Sequence, residues 1–149
     1  MNMSATTSFD LWKYAKEFAE AGRFVNRSLA TQVSMPALFL FGQSIELSLK
    51  GFLLGRGIPI QKLKDDYGHD LCTLLSESRK RKLGLEVKLK PIDVGVIGLL
   101  GYEYLRKRYQ YSRKELGVTM YIPLLDETEN ATFKLVRGLR GFCERTSTP

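Results

Sequence analysis

The residues best equipped for chemistry stand in three places along the 149-residue chain. Glu46 and Lys50 interrupt an oily stretch from Pro36 to Gly57, PALFLFGQSIELSLKGFLLGRG. The tetrad Gly68-His69-Asp70-Leu71 holds the single histidine, and a late stretch interleaves Arg106, Arg108 and Arg113 with Tyr109 and Tyr111. An acid four residues ahead of a lysine pairs with it across one helical turn. Charge set in a core needs such a partner, or a site to serve. Histidine is the side chain suited to moving a proton near neutral pH, and Glu46 is the acid that could orient it. Arginine forks take phosphates, and tyrosine rings offer faces on which bases stack. Together these residue types point to phosphate or nucleic-acid chemistry.

Each has a plainer reading. A lone histidine caps a helix or bonds to a structural acid such as Glu46. Tyr102, Arg106 and Tyr109 share one side of a helix and Tyr104, Arg108 and Tyr111 another, so one set can complete a core while the other is solvated. Cys72 lies one turn from His69, which admits a nucleophile–base pair on counting alone. Its place beside Leu71 and Leu75 predicts a buried thiol instead, like Cys143. With one histidine and no Cys-x-x-Cys, a zinc site has too few ligands, and no cofactor is expected. Gly51, Gly55 and Gly57 lack the Gly-Lys-Ser/Thr of a phosphate cradle. Gly95, Gly98 and Gly101 have the wrong spacing for a dinucleotide fingerprint and read as glycines that admit a close neighbour, within the chain or across a dimer.

The net charge is +7, unevenly placed: residues 79 to 114 hold eleven basic side chains and three acids. A basic block on a nearly neutral body is the footprint of a protein that meets polyanions, or else a solvated face that keeps it soluble. With 44% hydrophobic and 26% charged residues, a single globular domain over residues 1–149 is expected. No apolar run reaches the roughly 20 residues of a membrane span. The start, MNMSATTSFD, lacks the order of a signal peptide. These features predict a cytoplasmic protein with no membrane partner.

The elements that must position these residues read as all-α. Trp12, Ala15, Phe18, Ala19, Phe24 and Val25 recur near helical spacing, predicting a first helix from Ser8 or Phe9 to about Leu29, capped by Ser8. After a polar joint, Pro36 suits the first turn of a central helix ending at Gly55 or Gly57. Ile58 to Tyr67 reads as a loop. A third helix begins near His69 or Asp70, carries Leu71, Leu74 and Leu75 inward and dissolves into Arg79-Lys80-Arg81-Lys82. A fourth runs from Pro91 to about Lys114, with Asp93 as cap; a strand over 94–100 competes with it. Val118 to Leu125 reads as extended or loop. The final helix starts at Asp126, where Asp126-x-x-Glu129 has capping-box spacing, and Thr146 to Pro149 should fray.

The order Ser-Ile-Glu46-Leu-x-Leu-Lys50-x-x-Leu, then Gly68-His69-Asp70-Leu71 with Leu74-Leu75, then Arg108-Tyr109 late in a helix, resembles the HEPN family, the "higher eukaryotes and prokaryotes nucleotide-binding" domains. The resemblance spans roughly Phe9 to Cys143. It implies an up-and-down bundle of about five helices, homodimeric, in proteins that bind nucleotides or cleave RNA in microbial defence and toxin–antitoxin systems. An antitoxin or a nucleotidyltransferase is the partner it implies. Catalytic members carry Arg-x4-6-His in the late helix, whereas here no histidine follows Arg106 or Arg108. The resulting expectation is a protein that binds RNA or a nucleotide through Lys50, His69, Arg106, Arg108, Tyr109, Tyr111 and Arg113 without catalysis. The alternatives are a metal-independent ribonuclease using His69, Glu46 and Arg108, and an interaction module in which Glu46, Lys50, His69 and Arg108 form a structural network.

Overall fold

Side chains that take up the free amides of a first turn mark the starts of three of the helices. The computed structural model describes residues 5–28, 34–105 and 124–148, Leu105 by its backbone alone. Thr7 and Asp10 close a reciprocal cap around the start of α1 (Ser8–Ser28): the Asp10 amide donates to Thr7 Oγ1 at 3.1 Å and the Thr7 amide to Asp10 Oδ2 at 2.9 Å. Ser8, expected as the cap, is instead buried and donates to the Gly51 carbonyl at 2.6 Å. Ser34 caps α2 (Met35–Gly55) by accepting from the Ala37 amide, with Pro36 in the first turn. Gly57, at φ +98°, turns the chain away.

The stretch 58–67, expected as a loop, is helical from Ile60 on: α3 (Ile60–Lys62) runs into a π turn over Leu63–Tyr67. Leu63 is fully buried and Ile60 packs on the core, while the polar residues between them face solvent. Two apolar residues three apart suffice for one buried turn, and the flanking polar composition hides that signal. Gly68, at φ +53°, ends it. Asp70 caps α4 (Leu71–Lys80) and accepts from both the Thr73 amide and hydroxyl. A 3-10 turn (Leu83–Leu85) leads to α5 (Pro91–Leu105), helical throughout its described length, so the competing strand is not formed. Residues 106–123, which carry the continuation expected to Lys114 and most of the 118–125 segment, lie outside the described residues.

Helix α6 (Leu125–Ser147) begins without the expected Asp126–Glu129 box: its cap, Leu124, makes no side-chain bond. Glu129 faces Arg23 of α1 instead, at 3.6 Å. The expected fraying from Thr146 is also overturned, because Ser147 Oγ accepts from the Phe9 amide at 2.9 Å and the Thr146 hydroxyl donates back to the Phe142 carbonyl at 2.9 Å. The result is an all-α bundle with no strand among the described residues. Its axis is α2, which packs against α1, α4, α5 and α6. Leu38, Phe41, Ile45, Leu49, Phe52 and Leu53 of α2 are fully buried, each contributing about 1.5–3 kcal/mol. By length and composition α2 could cross a membrane, contrary to the sequence reading, but most of it is buried in the bundle. Of its buried hydroxyls, Ser44 donates to the Ala15 carbonyl at 2.6 Å, whereas Ser48 Oγ has no hydrogen-bond partner among the described residues.

Cys143 is buried as expected, but Cys72 is exposed. The inward positions of α4 are Leu71, Leu74, Leu75 and Ser78, and residue 72 falls off that stripe. Its thiol contacts the Gly98 carbonyl at 3.5 Å, and partial burial, then the Asp70 charge, push its pKa up. The thiol form therefore prevails, which argues against the nucleophile reading. The glycines of α5 divide similarly. A Cβ on Gly101 would meet Leu71 Cβ and Cys72 Sγ at 3.1 Å each, whereas one on Gly95 would meet nothing within 4 Å. Gly95→Ala should therefore stabilise by about 1 kcal/mol, raising Tm by about 3 °C. Gly101→Ala should show no such gain in the same melts.

Candidate functional site

Three side chains from three parts of the chain meet at the Glu46 carboxylate. Helix α2 supplies Glu46 and Lys50 one turn apart, the Gly68 turn ahead of α4 supplies His69, and α5 supplies Tyr104. Lys50 Nζ donates to Glu46 Oε2 at 2.9 Å. On the other oxygen, Glu46 Oε1 stands 2.8 Å from His69 Nδ1 and accepts from the Tyr104 hydroxyl at 3.2 Å. A carboxylate only accepts, so Nδ1 carries the hydrogen of this contact and Nε2 is the ring's remaining nitrogen. The carboxylate is enclosed, with 5% of its side chain exposed, while 64% of the His69 side chain reaches solvent.

The packing explains why α5 can reach this acid. Gly42, one turn before Glu46, lies under the Tyr104 ring, where a Cβ would come within 2.6 Å of a ring carbon. That bare turn seats the ring, and the next turn receives its hydroxyl. Burial above all, then the Glu46 charge and hydrogen bond, push the Tyr104 phenol far above its ordinary range. It is therefore a fixed donor and not a proton carrier at neutral pH.

The pairing of His69 and Lys50 with Glu46 follows the sequence reading. Lys50, expected as an RNA ligand, is nearly buried and commits its ammonium to Glu46, so it fixes the carboxylate instead of reaching out. Arg106, Arg108, Tyr109, Tyr111 and Arg113 lie outside the described residues. Helical spacing groups Tyr104 with the late arginines and does not reveal its bond to Glu46; a glycine one turn from a buried acid is the faint signal that a ring sits there. Asp93, expected as the cap of the fourth helix, lies inside the first turn of α5 and closes it by accepting from the Lys90 amide at 2.7 Å; its burial and its bond from Lys134 Nζ of α6 at 2.6 Å are what sequence reasoning overlooks.

Chemically, the cluster presents one imidazole, fixed from behind by an acid, at the start of α4. Such a group can hydrogen-bond an anion or exchange a proton. Among the described residues no group of three His, Cys, Asp or Glu side chains is placed to hold a metal ion. Comparison with protein-family models, with curated proteins and with solved structures finds no match.

Proposed function

We propose that this chain is a HEPN-like protein of the cytoplasm that binds RNA or a nucleotide without cleaving it. The observation that carries the reading is the exposed His69 imidazole held by the enclosed Glu46 carboxylate at 2.8 Å. With Nδ1–H committed to Glu46, a surface histidine held on this rigid, already ordered acid donates to a phosphate oxygen through Nε2–H in its protonated form. Arg106, Arg108 and Arg113 supply further phosphate contacts in this proposal, and Tyr109 and Tyr111 supply stacking faces. Binding is preferred to cleavage because metal-independent transfer uses a base and an acid, and Tyr104 is locked in its protonated form. The same resemblance extends the proposal to a homodimer acting in a toxin–antitoxin or defence setting, with an antitoxin or nucleotidyltransferase partner.

Fluorescence anisotropy of a labelled single-stranded RNA, titrated at several salt concentrations, tests it. The affinity should fall linearly on a log–log plot against salt, and His69→Ala should weaken it by about tenfold, the worth of one charge-assisted bond. Undetectable or salt-insensitive binding overturns the reading. The ribonuclease alternative draws on the same pair, since a carboxylate that orients an imidazole is the setting of a general base. RNA fragments on a gel that His69→Ala abolishes would establish it over simple binding.

A further inference from the structure

Helix α5 has an outer face without charge. Its two ionic residues, Asp93 and Glu103, are buried, while Ile92, Gly95 and Gly98 look outward, Ile92 with 48% of its surface exposed. A helix that is apolar all round is normally covered on all sides. Between this face and α4 runs a groove of about 580 Å³, floored by Cys72, Leu75, Val94 and Gly98 and rimmed by Arg79 and Lys80. A Cβ on Gly98 would meet nothing within 4 Å, so a neighbouring backbone can approach closely.

The rim's charge is left uncompensated. The nearby acids are committed: Glu77 to Arg81 at 3.1 Å, Glu86 to Arg145 at 3.1 Å and Asp93 to Lys134 at 2.6 Å. Arg79, Lys80, Lys82 and Lys90 have no acidic partner among the described residues. We infer that the α4–α5 groove docks an amphipathic helix of another protein, with small apolar residues on its buried face and acidic residues along its flank. A second copy of this chain fits poorly, because a two-fold contact sets this basic rim against its own image. A nucleic acid also fits poorly, since the floor offers aliphatic atoms and no ring for a base to stack on. His69 does not line this groove, and the inference does not depend on the RNA reading.

The test uses the full chain and a labelled designed peptide of about 20 residues, with an alanine–leucine face and glutamate flanks, beside a scrambled peptide of equal composition. The amphipathic peptide should bind at least about tenfold tighter than the scramble. Gly98→Leu, which fills open space, and the double change Arg79→Glu with Lys80→Glu should each weaken it by about tenfold or more, with circular dichroism and Tm retained. Equal binding of the two peptides overturns the proposal. So does single-stranded RNA that displaces the peptide and is itself lost on the charge reversal, which makes the groove an RNA track. A dimer in light scattering that Gly98→Leu dissociates overturns it as well, in favour of self-association.

Discussion

Glu46→Ala should cost about 3–5 kcal/mol of stability, among the largest losses any single change in this protein can cause. The truncation strands the Lys50 ammonium, of whose side chain 11% is exposed, and removes the acceptor of the buried Tyr104 hydroxyl. His69 contributes little to that loss. Its side chain is largely exposed, and exposed pairs are worth under about 1 kcal/mol. Urea unfolding should therefore show a large fall in midpoint for Glu46→Ala at constant slope, and almost none for His69→Ala. The double change Glu46→Leu with Lys50→Met should recover most of the stability, because a buried pair replaced by apolar groups of similar volume is often neutral. It should not recover RNA binding, since nothing then orients the imidazole. Recovery of both would show that the carboxylate is scaffold alone.

Gly42→Val should also be strongly damaging, at about 2–4 kcal/mol. The added atoms drive into the Tyr104 ring, which already occupies the space a Cβ needs; overpacking of this kind costs about 1–3 kcal/mol. Displacing the ring also breaks the hydroxyl's bond to Glu46, worth about another 1 kcal/mol. Adding Tyr104→Ala should relieve the clash, so the pair of changes should cost less than the sum of the two alone, a coupling that a double-mutant cycle in urea measures. Simple additivity would place the ring elsewhere.

Much of this was legible in the sequence because it rests on local spacing. Glu46 and Lys50 are one turn apart, Asp70 precedes a run of leucines at helical intervals, and a lone histidine beside a buried acid has few partners to choose from. What escaped was decided by tertiary contact. Ser8 has the right chemistry for a cap, but Thr7 and Asp10 take that role together while Ser8 is drawn onto Gly51. Asp126 and Glu129 have the spacing of a box, yet Arg23 claims Glu129 from another helix. Cys72 misleads because adjacency to Leu71 suggests burial, whereas the 71, 74, 75, 78 stripe leaves it outside. The α3 turn is hidden by its polar neighbours, and Tyr104 by a distance of 58 residues from its acceptor.

The double anchorage of α5 bears on how one packing is chosen over others. A rod greasy on every side gains nearly as much from burial after rolling a third of a revolution about its own axis, so oil alone leaves its azimuth undetermined. Asp93 grips Lys134 near one end and Tyr104 meets Glu46 near the other. Those two contacts cannot both survive a roll, and in this way a few polar atoms select the single orientation that the leucines and valines by themselves do not.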